Sequence, residues 1–168
     1  LSRVFQDPKM GTAPRMTVAE NLLIAKYRGE SRGLVPRKIQ AFRDDFQKLI
    51  AQIGNGLDKH LDTPTGFLSG GQRQALSLLM ATVKRPDLLL LDEHTAALDP
   101  KTSQSLMELT DEIMEREHLT GLMITHQMED ALKYGNRLIV MKEGKIIKDL
   151  DQEAKSQMAL NDYYAFFE

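Results

Sequence analysis

Ser69-Gly70-Gly71-Gln72, behind Leu68, and Asp92-Glu93, behind Leu88-Leu89-Leu90-Leu91, are the residues of this chain whose types and spacing suit chemistry on a phosphate. Two glycines after a serine expose bare backbone N–H groups. At a helix N-terminus those donors and the positive end of the dipole favour an anion. An acidic pair at the carboxyl end of a buried strand lies where ligands of open α/β sheets bind. Its carboxylates point in different directions, so one can hold a magnesium ion through its waters while the other orients or deprotonates a water for attack on phosphorus. Each half alone also fits a plainer role: a serine-capped glycine turn, or a solvated acidic loop. His126 follows the apolar stretch 121–125, and Gln6 follows Val4-Phe5. The first can donate to a phosphate oxygen and the second can reach a metal or water. A transition-metal cluster of His94, His126, Asp92 and Glu93 is the weaker alternative, since there is no H-E-x-x-H pattern and no cysteine.

These groups need a sheet edge and two helix starts to hold them. Val4-Phe5 ends a strand, and the turn-rich segment 7–14 leaves the sheet at Gln6. Thr17 and Glu20 form a capping box ahead of Leu22, Leu23, Ile24 and Ala25, with Gly29 and Gly33 as stop signals. A second helix is expected over 36–53, from the spacing of Ile39, Phe42, Phe46, Leu49 and Ile50, ending at 54–56. Ser69 and Gln72 repeat the capping-box spacing before Ala75, Leu76, Leu79, Met80 and Val83. The run 88–91 predicts a strand buried on both faces. Asp99-Pro100 starts another helix, with Leu106, Leu109 and Ile113 on its inner side. A second strand (121–125), a helix near 128–134, a third strand (138–141) and a hairpin through Glu143-Gly144 to 145–149 follow. Tyr163, Tyr164, Phe166 and Phe167 then read as docked core. Helices through 15–84 and strand–helix alternation afterwards predict a helical lobe inserted into an α/β core with a parallel sheet.

At 168 residues, 42% hydrophobic and 27% charged, the composition is that of a globular protein with one moderate core. A net charge of -2 supplies no global basic field for nucleic acid or anionic lipid. The absence of cysteine removes disulfides and thiolate chemistry and fits a reducing compartment. No apolar run approaches the ~20 residues needed to cross a bilayer, and residues 1–8 lack a signal-peptide layout.

Taken in order, Gln6, residues 68–72, residues 88–93, Ala97-Leu98-Asp99 and His126 resemble the nucleotide-binding subunit of ATP-binding-cassette (ABC) transporters, over essentially the whole chain. The resemblance implies an α/β P-loop NTPase fold: a RecA-like three-layer core, incomplete at its N-terminus, with an inserted helical subdomain. Residues 1–14 would be the end of a core strand and the Q-loop, 15–84 the helical signature subdomain, and 85–168 the C-terminal part of the core. By the same resemblance Gln6 is the Q-loop glutamine, and Ser69, Gly70, Gly71 and Gln72 are the signature motif. Asp92 is the Walker B aspartate, Glu93 the catalytic base, Asp99 the D-loop aspartate and His126 the switch histidine. ATP and Mg2+ are the implied ligands, with Gln6 and Asp92 organising the metal through water. Two subunits would pair head to tail, Ser69 and Gly71 of one capping the γ-phosphate held by the other. The implied partners are that second subunit, a transmembrane permease and, indirectly, a solute-binding protein, but no nucleic acid. The implied location is the cytoplasmic face of the cell membrane.

His94-Thr95, where most of the family has proline after the glutamate, is similar to a bacterial subgroup linked to import of small solutes such as amino acids. The chain departs from the family in lacking the Walker A sequence G-x-x-x-x-G-K-[ST]: its one Gly-Lys pair, Gly144-Lys145, is followed by isoleucine. The expectation is a truncation before Leu1 and a chain inactive by itself. Alternatives are a non-transport ABC ATPase of DNA repair or translation, disfavoured by the absence of heptads between Gln6 and Ser69, and a non-catalytic fragment.

Overall fold

The computed structural model describes residues 1–31, 38–53, 55–158 and 162. These form two compact units, Leu1–Met123 and Ile124–Glu168. The tail aromatics at 163, 164, 166 and 167, and the expected helix start at Pro36 and stop at Gly33, lie outside the described residues.

In the first unit β1 (Ser2–Val4) runs parallel to β2 (Leu89–Asp92), with Ser2 opposite Leu89 and Val4 opposite Leu91. The third strand, β3 (Gly121–Ile124), gives the order β1-β2-β3. Leu89 and Leu91 are buried and Leu90 is half-buried, so β2 is covered fully on one face and partly on the other. In β3, apolar composition is not matched by burial, Leu122 being 52% exposed.

Local capping explains three of the helices around this sheet. The reciprocal box at Thr17 and Glu20, with N···O distances of 2.7 and 3.2 Å, opens α1 (Val18–Lys26), which buries Val18, Leu22 and Leu23. Ser69 and Gln72 open α3 (Gly70–Thr82), and Asp99 with Pro100 opens α4 (Pro100–Arg116). The fourth, α2 (Arg43–Ala51), is shorter than its apolar spacing predicts: Ile39–Phe42 forms a 3-10 turn before it, and the N-cap residues of the two elements, Lys38 and Phe42, make no side-chain capping bond. Phe42 instead packs its ring on Phe46 and Tyr27, at 6.0 and 5.9 Å between centroids. All four helices contribute to one core containing Val4, Leu22, Ile50, Leu76, Leu89 and Leu106.

The second unit holds α5 (Met128–Lys133), the antiparallel pair β4 (Leu138–Lys142) and β5 (Lys145–Leu150), and α6 (Gln152–Ser156). Glu143 and Gly144 both have positive φ, 50° and 76°, as a two-residue hairpin turn of the primed type requires. A small core of Ala131, Leu138 and Val140 is closed by Lys155, whose ammonium donates to the carbonyls of Tyr134 and Gly135 past the end of α5.

Candidate functional site

The β1–β2 register sets the site. Two parallel strands release their chains at the same end, so Phe5-Gln6 after Val4 and Glu93 after Asp92 emerge together at the carboxyl edge of the sheet. Asp92 is the last residue of the strand rather than the first beyond it. Its Oδ2 lies 2.5 Å from Arg3 Nη2, and the Arg3 guanidinium also covers the Phe5 ring at 4.7 Å. Both side chains of the pair are partly solvated, so it contributes no more than about 1 kcal/mol. Glu93 takes φ +43°, in the left-handed region, where a residue with a Cβ bears a cost on the order of 1–3 kcal/mol. The turn that follows, with Ala96 N–H donating to the Glu93 carbonyl at 3.0 Å, and the burial of His94 and Thr95 hold it there.

On the facing helix, Gln72 N–H donates to Ser69 Oγ at 3.2 Å and Ser69 N–H donates to Gln72 Oε1 at 3.1 Å. Gln72 is thus engaged as the helix cap, while Ser69 and Gly70 are exposed. Arg73 braces the approach by donating to the carbonyls of Thr65, Gly66 and Leu68. A Cβ on Gly71 would stand 2.4 Å from Thr102 Cγ2 of α4, and one on Gly70 3.7 Å from Leu98 Cδ2. Asp99 Oδ1 accepts from Thr102 N–H at 3.1 Å, and hydrogen bonds from the Thr102 side chain and backbone hold the Asp99 carboxyl below its usual range. The N-termini of α3 and α4 therefore meet through glycine. A cleft of about 170 Å3 joins Gln6 and Lys9 to Gly70, Arg73, Gln74 and His94. His126 belongs to the second unit, where it is exposed beside Gln127, whose N–H donates to Thr125 Oγ1 at 3.0 Å.

Residues 1–96 match the sequence pattern of the family described as ABC transporter. The chain belongs to this family. It is 44% identical to the tyrosine transport ATP-binding protein of Clostridioides difficile (strain R20291) across all of this chain and 66% of that protein. It is 43% identical to the aliphatic sulfonates import ATP-binding protein SsuB 2 of Agrobacterium fabrum across 89% of this chain and 52% of that one. In three dimensions it resembles the dimeric structure of a post-hydrolysis state of the ATP-binding cassette MJ0796 bound to ADP and Pi, with a TM-score of 0.68 and 27% identity over 90% of this chain and 63% of that one. The fold is accordingly part of the α/β core of an ABC ATP-binding domain. The chain spans between about half and two thirds of the length of these relatives.

Within this ABC chain, four partners of the site escaped sequence reasoning: Arg3, Arg73, Gln74 and Thr102. Three of them act across more than 20 residues, on Asp92, Phe5 and Gly71, and no local pattern encodes such a contact. His94 is the other revision. It is 2% exposed, with Nε2 at 3.1 Å from Thr110 Oγ1, and that hydroxyl donates onward to the Leu106 carbonyl at 2.8 Å. Nε2 therefore carries the proton. A ring turned into the core and bonded to Thr110 is withdrawn from the transition-metal alternative.

Burial lowers the His94 pKa to about 4 from an ordinary 6.5. Between these values the unfolded chain binds a proton that the folded chain does not, so stability rises with pH. The contribution is complete above about pH 6.5 and is lost as pH falls towards 4, a difference on the order of 3 kcal/mol. Denaturant unfolding of the wild type and His94→Gln between pH 4 and 8 should show that slope in the wild type alone. A pH-independent difference between the two would mean that His94 is not held neutral.

Proposed function

We propose that the chain forms part of the ATP-hydrolysing subunit of an ABC importer for a small solute. The observation that carries the reading is the parallel register that sends Gln6 and Asp92-Glu93 out of one sheet edge, in the same unit as the serine-capped start of α3. The names of the relatives, tyrosine transport and aliphatic sulfonate import, support transport and uptake. The hard oxygen donors of Gln6 and Asp92 suit Mg2+, which when bound would neutralise phosphate charge. Glu93 takes the proton of the attacking water, and His126 donates to the phosphoryl oxygen that gains charge. Ser69 and Gly71, at an exposed helix start, present donors to a nucleotide held by a second copy, a pairing supported by the dimeric ADP- and Pi-bound relative. Asp99 sits at the junction between the two copies. A transmembrane permease and, through it, a solute-binding protein complete the assembly on the cytoplasmic face of the membrane. Nucleic acid has no part in it.

Residues 1–168 contain no Walker A sequence, so hydrolysis needs that loop from polypeptide beyond them. A protein carrying these residues together with such a loop should convert ATP to ADP and phosphate in a Mg2+-dependent way. Residues 1–168 alone should bind ATP no tighter than about 1 mM by calorimetry. Absence of hydrolysis in the first sample defeats the ATPase reading. Tight binding in the second shows that the phosphate cradle is elsewhere.

A further inference from the structure

Gln74 and Ser77 lie three residues apart on one face of α3, are 1% and 3% exposed, and meet the loop that follows β1. Gln74 Nε2 donates to the Phe5 carbonyl at 2.9 Å, the peptide immediately before Gln6. Only the NH2 end of the amide can make that bond, which fixes its orientation and leaves Oε1 inward. That oxygen is buried without a hydrogen-bond partner. An unsatisfied buried acceptor is destabilising, and leucine would remove one such acceptor, Oε1, while freeing another, the Phe5 carbonyl. What glutamine adds at this position is the grip on Phe5. At the loop's other end, a Cβ on Gly11 would lie 2.7 Å from Ser77 Oγ. The segment 6–11 is therefore pressed against α3 at both ends, by residues of the helix that begins at the Ser69 cap.

We propose that Gln74 is a positioning residue for Gln6. Through the Phe5 carbonyl it locks the loop that carries Gln6 to the helix whose first residues are Gly70 and Gly71, so that the chain's contribution to its own nucleotide site and its contribution to the second copy's site move as one body. The proposal rests on the ATPase reading and adds a residue to it.

The test uses the protein that carries these residues together with a phosphate loop. Gln74→Leu should keep a thermal midpoint close to that of the wild type, the removal of the unpaired Oε1 offsetting the freed Phe5 carbonyl, and a similar KM for ATP, while kcat falls about tenfold or more and the Mg2+ requirement rises. Gln74→Met, which keeps the length of the side chain but has no donor, should lose kcat likewise. Amide exchange at Met10 and Gly11, whose N–H groups bond to Asp7 and Pro8 within the loop, should quicken in both variants. From the other end, Gly11→Ala should lower kcat, and adding Ser77→Ala should restore it, because the next atom, Ser77 Cβ, lies at 3.7 Å. Wild-type kcat, Mg2+ requirement and exchange in a folded Gln74→Leu protein would overturn the proposal. So would a Gly11→Ala defect that Ser77→Ala does not relieve. If the wild type itself hydrolyses no ATP, the ATPase reading fails, and the exchange rates of the variants decide the link on their own.

Discussion

Glu93→Gln, introduced where a phosphate loop completes the site, lowers ATP turnover by about 10²–10⁴-fold, the range lost when a general base is removed. Glutamine fills the same volume and retains the side-chain oxygen, so the strained turn at φ +43° and the burial of His94 and Thr95 behind it persist. What disappears is the capacity to take a proton from water at the sheet edge. Phosphate release measures the loss. Gel filtration with ATP should show that nucleotide-driven pairing survives, because Ser69 and Gly71, which present the donors in the proposed paired state, are untouched. A variant that turns over at the wild-type rate would remove Glu93 from the chemistry. Loss of both turnover and pairing would make it an organiser of the nucleotide site instead of the base.

The parts of the site that were legible in the sequence are those built by residues close together in the chain. Thr17 with Glu20, Ser69 with Gln72, and Asp99 with Pro100 each mark a helix start because the cap and its backbone donor lie within three residues, and all three form as expected. The Glu143-Gly144 turn is local in the same sense. Elements fixed by distant partners leave less trace in the sequence. The start of α2 is decided by the packing of Phe42 against Tyr27 and Phe46, and periodicity placed the helix too early. Arg3 meets Asp92 across 89 positions, and Gln74 meets Phe5 across 69. His94 looked like a loop substitution beside the acidic pair, and its ring proves to be a core group because Thr110, a full 16 residues away, supplies the acceptor. In β3 the apolar pattern correctly announced a strand, yet pattern carries no information about what packs on it, and Leu122 stands exposed.

Gly71 offers a substitution whose sign can be reversed. Replacing glycine with alanine inside a helix ordinarily stabilises by roughly 0.5–1 kcal/mol. Here the new methyl would lie 2.4 Å from Thr102 Cγ2, so Gly71→Ala should instead destabilise by about 1–3 kcal/mol, as overpacking does. Thr102→Ser removes that methyl and keeps the hydroxyl that bonds to Asp99, and the next atom, Thr102 Cβ, lies at 3.7 Å. In the Thr102→Ser background the same alanine should be neutral or stabilising, a coupling that a double-mutant cycle of unfolding free energies reads directly. Additive effects would mean that α3 and α4 are not in contact at this point. Hydrolysis then separates two roles for the glycine. If its task is only to let the helices touch, the double variant recovers turnover together with stability. If it also lets an anion approach the backbone N–H groups of α3, the added methyl still stands between them, and turnover stays low in a protein that is fully stable. The exposed Ser69 and Gly70 beside it favour the second outcome, since a motif needed only for packing would have no reason to lie open at the surface.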